Sequence, residues 1–431
     1  MSRKLSYIST RALLISGGSL ITESGEVQKG DLLIENGRIA AIDQIGKIPE
    51  RGQTVLEARG LIVSPGFIDL HVHLREPGQS HKETIATGTA AAAVGGFTTV
   101  CPMPNTTPVN DSPEITRWMQ QPQRRAAAKV HPIAAATISS NGERLTDFKA
   151  LVEAGAVAVT DDGRPILGDS IMREALQAAR ELGIPVIQHA EDTRMSQGCT
   201  MHEGPTSFRL GLRGVKAEAE ASIVARDIEL AAETKARLHV AHLSTDAALK
   251  QVRQAREQGV QVTCEVTPHH LLLTDEEVGD YDTNCKMNPP LRAESDRQAM
   301  WDGLRDGSID CIATDHAPHA AHEKDQEFER APFGVTGLET ALPIALMVAA
   351  GDPQLVVRWL SCNPASVMGW KDAGVLRVGA SADITIFDPA EEWTFTASES
   401  KSKSKNSPFI GKRLRGRVQY TIVDGCVMWS L

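Results

Sequence analysis

The sequence predicts an α/β fold: a (β/α)8 TIM-type barrel joined to a small β-sandwich domain built from both chain termini. Three observations predict it. A long middle region alternates apolar strand-like runs with helical stretches, the rhythm of a parallel sheet. About eight such runs occur, the number that closes a barrel. The flanks, 1–64 and 366–431, carry only short strands and turns.

The first flank holds Leu13-Leu14-Ile15, then Asp31-Leu32-Leu33-Ile34, the hairpin dipeptide Asn36-Gly37, and Arg38-Ile39-Ala40-Ala41-Ile42. The barrel is expected over 65–365. Its strands are expected at 67–73, 98–103, 130–137, 156–161, 185–189, 238–242, 260–266 and 309–314. Helices are expected over 83–94, which stops at Gly95-Gly96, over 170–182, which stops at Gly183, and over 217–235. The second flank holds Asp383-Ile384-Thr385-Ile386-Phe387 and a strand over 418–423 before Asp424-Gly425. The serine- and lysine-rich run 398–405 has low complexity and is expected to be a solvated, mobile loop.

Composition narrows the function. The chain has 431 residues, 41% hydrophobic and 23% charged, and a formal charge of −10. That balance suits a globular protein and argues against a general nucleic-acid or membrane-surface binder. Seven scattered cysteines without a Cys-x-x-Cys pair fit reduced packing residues, hence a cytoplasmic location. No apolar run reaches transmembrane length, and 12–16 is too short for a signal-peptide core.

The chemistry concentrates where the strands end. His71 and His73 fall on one face of the first strand, because side chains on a strand alternate. Arg75 continues that face. Other strand ends carry Asn105, Asp161-Asp162-Gly163, His189, His242, Asn288 and Asp315-His316-Ala317-Pro318-His319. Barrel active sites form at this rim. Any one of these groups alone can be structural; together they form a metal-ligand set of imidazoles and carboxylates. The set exceeds the needs of one four-coordinate ion and suits two. Asp161 and Asp162 compete for the bridging position, and periodicity does not separate them. His239 and His242 differ by three and face opposite sides, so the terminal His242 is chosen. His81, His131, His202, His239 and His322 read as surface or core residues, and His269-His270 as outside the metal set. Asp315 can touch metal and carry a proton to a departing amide nitrogen. His316 is a candidate to orient it. The loop 320–332, with alternating charges, is a candidate cover for the substrate.

These residues carry a resemblance. The run Pro65-Gly66-Phe67-Ile68-Asp69-Leu70-His71-Val72-His73-Leu74-Arg75-Glu76-Pro77-Gly78 resembles the amidohydrolase superfamily signature, and within it the bacterial class I dihydroorotases. Met103-Pro104-Asn105-Thr106, Lys286-Met287-Asn288-Pro289-Pro290, Ala313-Thr314-Asp315-His316-Ala317-Pro318-His319 and Phe333-Gly334-Val335-Thr336-Gly337 are similar to that family's other motifs. The resemblance implies reversible cyclisation of N-carbamoyl-L-aspartate to L-dihydroorotate, in pyrimidine synthesis, with two Zn2+ ions per chain. It implies that His71, His73 and Asp315 bind one zinc, that His189 and His242 bind the other, and that Asp162 bridges them. Asp315 would be the acid/base. Arg75, Asn105 and His319 would hold the substrate carboxylate, and Asn288 with the Phe333-Gly334 backbone would hold the ring. A homodimer and association with aspartate transcarbamoylase are compatible with the likeness.

Two rivals are weighed. Dihydropyrimidinases and allantoinases bridge their metals with a carboxylated lysine; the fourth strand here ends in Asp162, with no lysine. Their rings also need no cation at Arg75. An inactive partner of aspartate transcarbamoylase would lack ligands that this chain retains.

Overall fold

The computed structural model describes residues 12–23 and 25–431; residues 1–11 of the expected flank 1–64 lie outside the described residues. In chain order the first strands are β1 (Ala12–Ile21), β2 (Val27–Glu35), β3 (Arg38–Asp43), β4 (Thr54–Glu57) and β5 (Ile62–Pro65). The β2–β3 hairpin turns at Asn36 (φ 51°) and Gly37 (φ 76°), the paired positive values a two-residue turn of this hand requires. β1 changes partner along its length: Leu13 to Ser16 pair with β4, and Ser19 and Leu20 with β5.

The barrel follows, with β6 (Phe67–Val72), β7 (Phe97–Pro102), β8 (Lys129–Val130), β9 (Ala134–Ala135), β10 (Val159–Thr160) and β11 (Val186–Gln188). A short ribbon, β12 (Met201–His202) with β13 (Gly214–Val215), leaves the rim. β14 (Leu238–Val240), β15 (Val262–Val266) and β16 (Cys311–Ile312) complete the barrel, and β17 (Ile384–Thr394), β18 (Arg413–Val423) and β19 (Cys426–Ser430) end the chain.

β8 and β9 act as one barrel strand interrupted around Pro132, which has no N–H to donate. His131 N donates to Val100 O on one side, and Ala134 N donates to Ala158 O on the other. From β9 the parallel order runs β10, β11, β14, β15, β16. The ring closes between the eighth and first strands. Val72 bridges His316, His73 N donates to His316 O at 2.8 Å, and Asp69 accepts from Thr314 N at 3.1 Å and Thr314 Oγ1 at 2.6 Å. Burial raises the Asp69 carboxyl to about 7 despite these bonds.

The flanks join in one sheet, where β5 pairs with β17 (Ile384 with Pro65, Phe387 with Ile62). That sheet encloses its own apolar cluster, including Ile15, Leu32, Val63, Ile384 and Ile422. Its contact with the barrel is aromatic: Phe67 lies 5.9 Å from Phe97 and 6.0 Å from Phe387. Phe67 begins the first barrel strand, so the sheet covers that end and leaves the opposite rim for chemistry.

The three expected helices form. Ile85–Val94 is capped by Thr84, whose hydroxyl accepts from Thr87 N, and stops at Gly95. Asp169–Leu182 stops at Gly183 in the left-handed conformation, and Glu218–Thr234 is the third. No helix of the described residues is long and apolar enough to cross a membrane.

The expectation of a mobile loop over 398–405 is corrected. Ser402 and Ser404 are buried, while the lysines on either side are exposed. The segment starts in a turn and bends at Ser402 and Lys403, with Ser402 and Ser404 facing in. Ser400 Oγ and Lys401 N donate to Glu339, at 2.6 and 2.7 Å. Ser402 Oγ and Lys403 N donate to Glu83, and Ser404 Oγ donates to Lys82 O at 2.6 Å. Two buried carboxylates require donors, and the alternating serines supply them. Low complexity hid a period of two.

Candidate metal centre and substrate pocket

The strand ends bring His71, His73, Asp162, His189, His242 and Asp315 together, all buried. Competition between the paired aspartates is resolved by direction. Asp161 turns to the neighbouring strand, accepting from Thr137 N at 2.9 Å. Asp162 turns into the site. Its Oδ1 lies 3.4 Å from His71 Nε2, 3.6 Å from His189 Nδ1 and 3.7 Å from His242 Nε2; its Oδ2 lies 3.7 Å from His73 Nε2. Asp162 therefore belongs to two triads, one with His71 and His73 and one with His189 and His242. Asp315 Oδ1 joins the first, 2.9 Å from His73 Nε2 and 3.6 Å from His71 Nε2.

These residues fit divalent cations. Two ligands at about 2.1 Å on a tetrahedral ion stand roughly 3.4 Å apart, the range of most of these separations. His71 Nε2 and Asp162 Oδ1 are buried and lack a hydrogen-bond partner, an arrangement costly without an ion. Two site residues, His242 (φ 33°) and Asp315 (φ 45°), hold left-handed backbone, as does Arg75 (φ 60°). For non-glycine residues that strain costs on the order of 1–3 kcal/mol each, and it gathers where function fixes the side chain.

A second layer orients the ligands. Glu265, an acidic residue inside an apolar strand, accepts from His71 Nδ1 and from His239 Nε2, both at 3.1 Å. His239 Nδ1 meets Thr263 Oγ1 at 2.8 Å. Burial opposes ionisation of Glu265, but these imidazoles bring its carboxyl down to about 2. His239, Glu265 and Cys311 also cluster, yet both ring nitrogens of His239 are already engaged, so the group serves as support. Glu191 receives His189 Nε2 at 2.8 Å and Asn288 Nδ2 at 2.7 Å. Sequence reasoning missed both acids. The signals were present: a lone carboxylate in the run Val262-Thr263-Cys264-Glu265-Val266, and a Glu two residues beyond His189.

Asn105 is wired to the ligands, its Oδ1 2.8 Å from His73 Nδ1 and its Nδ2 3.1 Å from Asp162 Oδ2. His316 does not orient Asp315. It faces Glu83, 3.4 Å from its Nε2, while its Nδ1 accepts from Gly337 N. His270 is structural, between Thr267 Oγ1 and Pro289 O. His269 is buried with neither ring nitrogen hydrogen-bonded, and burial lowers it to about 4.

Beside the triads lies a cationic pocket. Arg75 is buried, its Nε donating to Pro318 O at 3.1 Å and its Nη2 lying 3.3 Å from His319 Nε2. Lys82 Nζ lies 3.4 Å from His319 Nδ1. Burial, then Arg75 and Lys82, pull His319 down to about 2, so it is neutral near pH 7. Burial lowers Arg75 to about 10, where it stays charged. Gly334 (φ 145°) adjoins this pocket; a Cβ there would sit 2.7 Å from Ala317 O and 2.9 Å from the His319 ring. Phe333 is partly exposed above Lys286 Nζ, 4.6 Å from its ring centre. The loop 320–332 is pinned from beneath by buried Lys324, whose Nζ donates to Lys286 O, Pro332 O and Gly334 O.

Comparisons with known proteins bear on the fold and the family. L-hydantoinase (dihydropyrimidinase) from Arthrobacter aurescens superposes with a TM-score of 0.86, at 25% identity, over 96% of this chain and 95% of that one. D-hydantoinase from a Thermus species gives 0.82 at 26% identity, over 97% and 96%. Fold and rim together define an amidohydrolase-type barrel with a β-sandwich domain. Residues 60–248 match the family model described as dihydro-orotase-like. A dihydroorotase of Solibacter usitatus is 47% identical over 97% of this chain and 98% of its own length, and one of Geobacter sp. strain M21 is 48% identical over 97% and 99%. The chain belongs to the dihydroorotase family.

Proposed function

We propose that the chain is an active dihydroorotase that interconverts N-carbamoyl-L-aspartate and L-dihydroorotate plus water, with two zinc ions per chain, in the cytoplasm. The observation that carries this reading is the shared Asp162, which stands between two histidine pairs, with buried Arg75 close enough to feel its charge and that of Asp315. We assign His71, His73 and Asp315 to one ion, His189 and His242 to the other, and Asp162 to both. The catalytic unit is placed in 65–365 and the composite sheet unit in 1–64 with 366–431.

Bound divalent cations supply Lewis acidity toward the ring carbonyl and lower the pKa of water. The chain's residues do the rest. Arg75 and neutral His319 receive the substrate carboxylate, the arginine by charge and the histidine through its Nε2–H, which it shares with Phe333 O at 2.8 Å. Asn105 keeps His73 and Asp162 in register while facing the same pocket. Asn288 and the Phe333-Gly334 backbone hold the ring. Asp315 is the proton carrier. Burial opposes its ionisation, but the His73 hydrogen bond and nearby imidazoles hold it well below the ordinary carboxylate range, so it is ionised at neutral pH. As the carbon–oxygen bond forms, Asp315 takes the proton; as the ring carbon–nitrogen bond breaks, it returns the proton to nitrogen.

A hydantoinase-like or allantoinase-like specificity is the competing reading. Arg75, a buried cation with no ion pair to a carboxylate among the described residues, supports the dihydroorotate assignment. The test is hydrolysis of L-dihydroorotate by the purified chain, with and without chelation, beside allantoin and dihydrouracil. Chelator-sensitive turnover of dihydroorotate alone is expected. Turnover of another ring would overturn the substrate, and full activity after metal removal would overturn the metal centre.

A further inference from the structure

The serine-rich segment 398–407 carries near its end Asn406, a buried side chain that uses each of its polar groups. Its Oδ1 accepts from His319 N at 2.9 Å, and its Nδ2 donates to Ala317 O at 3.0 Å and Gly334 O at 3.1 Å. Its carbonyl accepts from Thr336 N at 2.9 Å. These four bonds grip both ends of the loop that carries His319 and Phe333-Gly334. Further along, Ser402 and Lys403 hold Glu83, which also faces His316, and Ser404 holds the carbonyl of Lys82, whose ammonium faces His319. The segment thus straps together the loops after the first and eighth barrel strands.

We propose that this strap fixes the substrate-carboxylate pocket, and that Asn406 is its positioning residue, holding the His319 ring against Arg75. The inference rests on the reading that Arg75 and His319 receive the carboxylate. A pocket formed by two loops needs a third element to hold them at one spacing; small displacements of such groups cost binding steeply. The strap hydrogen-bonds to both loops and, among the described residues' hydrogen bonds and ion pairs, to none of the six metal-facing side chains.

The test uses the full-length, metal-loaded protein. Asn406→Ala is expected to raise KM for dihydroorotate about tenfold or more and to change kcat less than about threefold, the signature of lost positioning of a bound group. Metal content per chain should stay constant, and the amides of His319 and Thr336 should exchange hydrogen faster. Should Asn406→Ala fail to fold, the Ser402→Ala/Ser404→Ala double variant carries the same expectations. Faster exchange with unchanged KM would make the strap mere scaffolding and overturn the proposal, as would parallel loss of kcat and metal. Arg75→Met, assayed alongside, separates the two readings. If it leaves KM unchanged, the carboxylate assignment fails; if it raises KM while the strap variants do not, the strap alone fails.

Discussion

The metal-facing and carboxylate-facing halves of the site are built differently. The first is made of side chains at strand ends, held by the barrel ladder and by buried partners such as Glu265 and Glu191. The second is made of loops, held by Lys324 from within the loop itself and by a segment distant in sequence, the strap with Asn406 from the final sheet region. The difference teaches that ligands inherit their precision from the sheet, whereas the substrate pocket must acquire its own from long-range clamps.

The sharpest way to break this division is Asp315→Ala. Turnover should fall by at least about 10³-fold, within the range of general acid–base contributions, while the fold survives because the ladder does not depend on that side chain. Activity measured beside the circular dichroism melt checks it; substantial residual turnover would remove Asp315 from the proton path. Arg75→Met should act on the other half alone. Loss of a charge-assisted contact worth about 1.5–3 kcal/mol predicts a rise in KM of roughly 10- to 150-fold with metal content intact. Equal losses of metal and substrate binding would show the two halves to be one unit.

Glu265→Gln probes the support behind His71. A weaker acceptor should cost roughly 10- to 100-fold in metal affinity, read by competition with a chelator, and leave dihydroorotate KM nearly unchanged in excess metal. The smallest effect concerns pH. His319 titrates at about 2 in the fold, against an ordinary value of about 6.5. Between these values the unfolded chain binds the extra proton, so stability falls as pH drops below about 6.5. His319→Gln should therefore flatten the dependence of unfolding free energy on pH between pH 6 and 4, by up to about 1.4 kcal/mol per pH unit. Denaturant titrations at several pH values decide; identical slopes would mean that folding does not depress His319.

How much of this was legible varies by region. The ligand histidines stood out because a strand's period of two and its end position together select them: His71 with His73, and His242 over His239. The Asp161–Asp162 choice was not legible from period alone, since both sit at a strand end. It needed the neighbouring strand, where Thr137 captures Asp161. The strap was misread because composition suggested solvation, while its alternation matters only opposite Glu83 and Glu339, residues 319 and 61 positions away from their serine partners.

By itself, then, the sequence determined the α/β alternation and placed the candidate ligands, the proposed proton carrier and Arg75 at strand ends, because each placement follows from local periodicity and side-chain chemistry. The tertiary structure supplied the reason Asp161 stays out while Asp162 enters, and it alone decided that His316 serves Glu83 and not Asp315, and that the last serine-rich segment bonds to the loops after the first and eighth strands. Those outcomes depend on buried donors meeting buried acceptors across hundreds of residues, a pairing that no local pattern encodes.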